Sequence, residues 1–132
     1  MFLNKRRVLI WLVITGGIFF IISALGQGIC AIPDIKDGIR ILSSYWFNRI
    51  HMYCWLVNLS MWMTGILVLY GAYGLSQNRK NYSVIAIPAI YSFIMVILIL
   101  IFTPSDWWHT ISIFAGVGLI VVALILIKVG AA

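Results

Sequence analysis

The chain has 132 residues, of which 64% are hydrophobic and 9% are charged, and this composition excludes an ordinary soluble domain. Nine Lys and Arg residues stand against three acidic ones, a balance that in a soluble protein would suggest a nucleic-acid partner. Here most basic residues lie at the ends of apolar segments. They therefore indicate membrane topology, and we expect no nucleic-acid binding.

The first apolar segment is predicted to be a transmembrane helix over residues 8–30. It follows a basic leader, residues 1–7, as in a signal peptide, but the apolar run exceeds the 7–15 residues of a signal-peptide core. We therefore expect an uncleaved span within a single integral membrane domain of residues 1–132. Small residues recur along this span at heptad spacing, which favours close helix packing. They are Gly16, Gly17, Ser23, Ala24 and Cys30.

The connection at residues 31–50 is predicted to contain a short amphipathic helix in the outer membrane interface. Pro33 suits the first turn of a helix, and apolar residues then repeat at steps of four, three and four. A structured loop that caps the bundle is the alternative, because a helix this short is marginal alone. The repeating residues are Ile35, Ile39, Leu42 and Trp46.

The second span, residues 51–75, contains no charged residue and is long enough to cross a hydrocarbon layer of ~30 Å. Alternate steps of three and four residues along it collect small and polar side chains on one face. Bulky apolar ones such as Leu59, Met63 and Ile66 lie on a second face, about 100° further round the helix. In a membrane the first set should face other helices. It comprises His51, Cys54, Asn58, Met61, Gly65, Val68 and Ala72.

Residues 84–102 and 109–128 are predicted to be the third and fourth spans, which completes an all-α bundle of four transmembrane helices. Pro88 lies in the first or second turn of the third span, where it kinks the helix or marks a later start. A tight polar turn at residues 103–106 joins the two spans.

The distribution of charge predicts the orientation of the bundle. Six basic residues lie on one predicted side, whereas the other side has three basic residues together with all three acidic ones. The positive-inside rule puts both termini in the cytoplasm, with the chain in a bacterial or archaeal cytoplasmic membrane. The six are Lys5, Arg6, Arg7, Arg79, Lys80 and Lys128, and the three are Lys36, Arg40 and Arg49.

Both histidines lie near the outer ends of their spans, and we expect them at similar depth. The second and fourth spans are diagonal in a sequential bundle, a separation that suits a b-type haem with His51 and His109 as axial ligands. A zinc or copper ion is a second possibility, with Cys54 and Asp106 as further ligands. The interpretation that we favour has no cofactor, and the histidines are then hydrogen-bonding groups of an interfacial aromatic belt.

The remaining features favour a protein without its own catalytic chemistry. No acidic residue lies within a predicted span, which argues against a carboxylate-based transporter, and no hydrolase triad or phosphate-binding loop is present. We therefore expect a non-catalytic structural or accessory subunit of a larger membrane complex, with lipid and other membrane subunits as partners. A haem- or metal-binding electron-transfer subunit using His51 and His109 is the alternative. An immunity-type membrane protein that blocks a pore-forming toxin is a third hypothesis.

Overall fold

The computed structural model of the chain describes residues 2–79, 82–102 and 107–130, with side chains except at 2–5, 96, 99, 100, 102, 107–110, 129 and 130. Helix α1, Phe2–Gly26, continues through a π-helical turn, Gln27–Ala31, into the short helix α2, Ile32–Gly38. Three further helices follow: α3 at Ser44–Ser76, α4 at Ser83–Phe102 and α5 at Trp107–Gly130. The described part contains no strand, and the all-α prediction is confirmed.

Three of the four long helices have the length and composition of membrane spans. Three stretches of the described chain are long and apolar enough to cross a bilayer, namely Arg6–Gly38, Ser44–Ser76 and Ile111–Lys128. Ser83–Met95 within α4 is a shorter apolar helix. By these criteria the chain is an integral membrane protein.

The four long helices form a bundle in chain order. Helix α1 packs against α3 and α5, and α4 packs against the same two helices. Helices α3 and α5 therefore lie at opposite corners. Neighbours run antiparallel: Arg6, near the start of α1, donates hydrogen bonds to the carbonyl oxygens of Leu75 (2.8 Å) and Ser76 (3.0 Å) at the end of α3. The guanidinium thereby adds hydrogen bonds to the last carbonyls of a helix, which lack the usual partner four residues on; the Leu75 carbonyl also accepts from the backbone N–H of Asn78 at 3.2 Å.

Two adjacent glycines bring the backbone of α1 against two different helices. A Cβ atom on Gly17 would lie 2.9 Å from the Leu69 side chain, and one on Gly65 would lie 3.2 Å from the Gly17 carbonyl oxygen. On the other side, a Cβ atom on Gly16 or on Gly116 would lie 3.0 Å from the carbonyl oxygen of the opposite glycine. Helix α1 thus meets α3 at Gly17 and α5 at Gly16, which is the close small-residue packing predicted from the sequence.

The two faces of α3 are as predicted. The members of the inner set from residue 58 to residue 72 are buried, and the two nearest the outer end, His51 and Cys54, are half-buried. Every bulky residue of the second face is exposed at the outside of the bundle, where lipid or another protein would contact it. These residues are Met52, Leu56, Leu59, Met63, Ile66 and Tyr70.

The outer connection contains the expected short helix, with different bounds. Helix α2 includes Pro33 and ends at Gly38, and Ile39 and Leu42 lie in the turn that follows. Trp46 belongs to α3, which begins at Ser44 rather than at residue 51. Hydropathy marks the part of a helix that lies in the membrane, so it does not mark the charged turns that extend the helix outward.

The π-helical turn changes which side of the first helix faces the bundle. Heptad spacing predicts that Cys30 shares the packing face of Gly16 and Ser23. Cys30 is nevertheless exposed, whereas Ala31 is buried. A π-helical turn contains an additional residue, so the residues within and after it are rotated away from the α-helical pattern.

Candidate functional site

The buried polar side chains of the bundle lie at contacts between helices. Within the described residues they are Ser23 in α1, Asn58 and Thr64 in α3, and Ser92 in α4. No buried side-chain nitrogen or oxygen in this part of the chain lacks a hydrogen-bond partner. Such pairing is needed in a membrane, where no water is present to replace a missing partner.

Asn58 connects α3 to α1 at the π-helical turn. Its Nδ2 atom donates to the Ala24 carbonyl oxygen at 2.6 Å and lies 3.5 Å from Oε1 of Gln27. Gly28 lies beside this side chain, and a Cβ atom there would make an ordinary van der Waals contact with Asn58 Nδ2 at 3.5 Å. Asn58, on the face predicted to contact other helices, therefore makes an interhelical hydrogen bond. In membrane proteins such a bond stabilises the fold by about 0.6 kcal/mol on average.

Two pairs of hydroxyl groups connect further helices. Ser23 Oγ in α1 lies 2.5 Å from Ser112 Oγ in α5. Between α3 and α4, Ser92 Oγ donates to Thr64 Oγ1 at 3.3 Å. Serine and threonine pairs of this kind allow two helices to approach closely while both hydroxyl groups keep a partner.

The contact between α4 and α5 uses aromatic rings instead. The centroids of Phe93 and Phe114 are 6.2 Å apart, and the rings meet edge to face at 78°. Such pairs contribute about 0.5–1.5 kcal/mol beyond the area that they bury. Each of the four contacts between neighbouring helices thus has its own specific interaction, and the interior of the described bundle serves to position helices.

His51 interacts with residues of its own helix. Its Nε2 atom accepts a hydrogen bond from Trp55 Nε1 at 3.2 Å, and its ring centroid lies 5.9 Å from that of Phe47. Trp55 lies one turn further along α3 and Phe47 one turn before. An axial or metal-ligating role for Nε2 would require the indole of Trp55 to move away first.

The other predicted ligands are only partly placed. Asp106 lies outside the described residues, and His109 is described by its backbone alone, in the first turn of α5. Cys54 is half-buried on α3, and both it and Cys30 are free thiols. Among the described residues, no three or more His, Cys, Asp or Glu side chains come close enough together to hold a metal ion. The haem and metal sites therefore stay predictions.

The depth of the helices relative to one another follows from their contacts, beginning with α1 and α3. Gly65 of α3 packs against Ile21 of α1, and Asn58 reaches the carbonyl group of Ala24. Because the two helices run antiparallel, Ser23 is level with a point on α3 between these two contacts. Along α3, this depth is less than one helical turn from Asn58 in the direction of Gly65, toward the centre of the membrane.

The same reasoning places the start of α5. Ser112 bonds to Ser23 and so has nearly the same depth, and His109, one turn earlier on α5, is level with Asn58. His51 lies two turns further out, about 10 Å along the bundle at 1.5 Å per residue. The similar depth expected for the two histidines is therefore wrong, because α3 extends outward past the first residue of α5. Axial ligands must meet one iron from opposite faces, so this offset weighs against a haem held by both.

The fold and its contacts define a small helical integral membrane protein whose buried polar side chains form hydrogen bonds between its helices. No known family model matches the chain, and no curated protein or solved structure matches it. Sequence reasoning missed the contact of Arg6 with the end of α3 and the pairing of Ser23 with Ser112. The antiparallel order of the spans was the available signal for the first, and the heptad position of Ser23 was the signal for the second.

Proposed function

We propose that the chain is a non-catalytic structural or accessory subunit of a larger membrane complex. The observation that carries this proposal is how the buried polar groups are used. In the described residues, Ser23, Asn58, Thr64 and Ser92 each bond to a neighbouring helix. A membrane enzyme or transporter instead needs polar or titratable groups directed at its substrate or ion. A structural subunit, by contrast, needs only a defined shape and a surface that its partner subunits contact.

The outside of the bundle supports the same proposal. Leu59 and Ile66 of α3 and Ile87 and Ile94 of α4 are exposed. Helices of different subunits associate in a membrane by close packing rather than by the hydrophobic effect, so an apolar surface of this kind fits a neighbouring helix as well as lipid. We infer that the partners are the lipid bilayer and other membrane subunits, and that no nucleic acid binds.

We further propose that both termini lie in the cytoplasm of a bacterial or archaeal cell. Arg79, just after α3, and Lys128, near the end of α5, are exposed on the same side as the start of α1. An excess of basic residues on one side supports its assignment as the cytoplasmic side. The outer side would then carry α2 and the first turns of α3.

Purification from native membranes in mild detergent tests the proposed function. We expect the tagged chain to elute with one or more membrane proteins in constant ratio, and the tagged partner to recover the chain. Leu59→Trp and Ile66→Trp on α3, and Ile87→Trp and Ile94→Trp on α4, add bulk at exposed positions. Substitutions on the partner-facing side should abolish co-purification, and those on the lipid-facing side should not. A lone, monodisperse chain contradicts the proposal.

A further inference from the structure

At the outer end of the bundle, α3 extends past α4 and α5. Ser92 of α4 is level with Thr64 of α3 through their hydrogen bond. The two helices run antiparallel, so Phe102, the last residue of α4, is level with the turn of α3 that contains Cys54. Helix α5 begins close to this level. Helix α3 continues outward to Ser44, about ten residues further, which is ~15 Å at 1.5 Å per residue.

The outer extension of α3 packs against the segment that follows α1. The π-helical turn and α2 run alongside the first turns of α3, and α2 packs against α3. Ile32 of α2 is only 2% exposed, so the two segments share a small core. We call residues 27–56 the outer hairpin.

The outer part of this hairpin lies beyond the hydrocarbon layer. Helix α4 has 20 residues, a length of ~30 Å that matches the hydrocarbon core of a bilayer and places its boundary near the end of α4. The headgroup region adds only about 5–7 Å on each side. Large side chains are nevertheless exposed there, including Ile41 (92%), Tyr45 (61%) and Trp46 (54%). In a bilayer placed by the length of α4, lipid chains would not reach these side chains, and apolar surface exposed to water is typical of a binding site.

The outer turns of α3 in the hairpin carry three exposed residues, Tyr45, Trp46 and Arg49, which we call the outer stripe. Nη1 of Arg49 donates to the Tyr45 hydroxyl at 2.5 Å, and Nε lies 3.5 Å from the Tyr53 hydroxyl. The guanidinium carbon is 5.7 Å from the centroid of the Tyr45 ring. The cation is therefore held in place by its neighbours. Tyrosine and arginine are also the residues that most often dominate the binding energy of protein interfaces.

We propose that the outer stripe docks an acidic extramembrane segment of a partner membrane protein. This inference rests on the proposed function, because it assumes a membrane partner. Arg49 is the only Lys, Arg, Asp or Glu of Ser44–Ser76, and no described carboxylate pairs with it, whereas Arg40 pairs with Asp37 at 3.2 Å. A carboxylate of the partner would complete a charge-assisted pair with the guanidinium. A second copy of the chain does not suit the stripe, because two Arg49 side chains would then face each other.

Photo-crosslinking in native membranes tests this inference. A photoreactive phenylalanine analogue replaces Trp46, which is exposed and lies about 12 Å beyond the level of Cys54 at 1.5 Å per residue, and the cross-linked peptides are identified by mass spectrometry. We expect a crosslink to an extramembrane segment that contains Asp or Glu, in a membrane protein that co-purifies with the chain. Arg49→Glu should lower the yield about tenfold, equivalent to ~1.4 kcal/mol. Arg40→Glu is the matched control, because it makes the same change of charge on the same hairpin outside the stripe, and it should leave the yield within about twofold.

Other outcomes overturn the inference. Crosslinks to lipid alone, or to a second copy of the chain, would exclude a partner protein at the stripe. Equal yields in the Arg49→Glu and Arg40→Glu variants would exclude a specific role for Arg49. If a partner co-purifies while the stripe gives no such crosslink, the docking inference fails and the proposed function stands. If no partner co-purifies at all, the proposed function is wrong, and the docking inference that rests on it is wrong as well. Both arginines are exposed, so both variants are expected to fold.

Discussion

The substitution Gly116→Ala should weaken the bundle, whereas Gly118→Ala should not, although each adds one methyl group to α5. At position 116 the new Cβ atom would lie 3.0 Å from the carbonyl oxygen of Gly16 and 3.3 Å from Cβ of Phe19. A backbone oxygen does not rotate aside, so α1 and α5 would have to separate. At position 118, apart from the neighbouring residues and the backbone of α5 itself, no described atom lies within 4 Å of the new methyl group.

The expected magnitude combines two effects. Overpacking a close contact costs about 1–3 kcal/mol, and replacing a helical glycine by alanine returns roughly 0.5–1 kcal/mol. Gly116→Ala should therefore lower the free energy of unfolding by about 0–2.5 kcal/mol, while Gly118→Ala leaves it unchanged or raises it by up to ~1 kcal/mol, and the difference between the two variants should be about 1–3 kcal/mol. Unfolding in mixed micelles with increasing SDS, monitored by tryptophan fluorescence, measures the free energy of unfolding of both variants. If Gly116→Ala proves as stable as Gly118→Ala, α1 and α5 do not meet at these glycines.

Three further predictions concern the polar groups. Asn58→Leu should lower the free energy of unfolding by about 0.6–1.7 kcal/mol, because the hydrogen bond to α1 is lost. The same micelle assay measures this change, and an unchanged free energy of unfolding would show that the bond contributes nothing. Ser23→Ala and Ser112→Ala should be coupled by at least ~0.5 kcal/mol in a double-mutant cycle, whereas strict additivity would contradict their contact. The purified chain should show no Soret absorption; a band that disappears in both His51→Ala and His109→Ala would instead establish the haem hypothesis.

The rotation of α3 about its own axis was predictable from the sequence. In α3, the spacing of small and polar residues identified the face that contains Met61, Gly65 and Val68, and these residues are buried. The bulky residues of the other face are exposed, as expected. The reason is physical: in a membrane, small and polar side chains gain from protein contacts that lipid does not offer.

The translation of one helix along another was not predictable in the same way. Periodicity specifies an angle around the axis, and it contains no information about depth. Depth is fixed by pairs from different helices, such as Gly16 with Gly116 and Ser23 with Ser112, and a single sequence does not show these pairs. This is why His51 was expected to lie at the depth of His109 and instead lies about two turns outside it.

Labelling of single cysteines tests the fourfold crossing of the membrane most directly. In a Cys30→Ser, Cys54→Ser background, Ser43→Cys, Gln77→Cys and Ser105→Cys place one thiol in each connection between the long helices. A membrane-impermeant maleimide should label positions 43 and 105 in intact cells and position 77 only after the membrane is opened. Labelling of positions 77 and 105 from the same side would contradict the crossing by α4, and with it the order of the bundle.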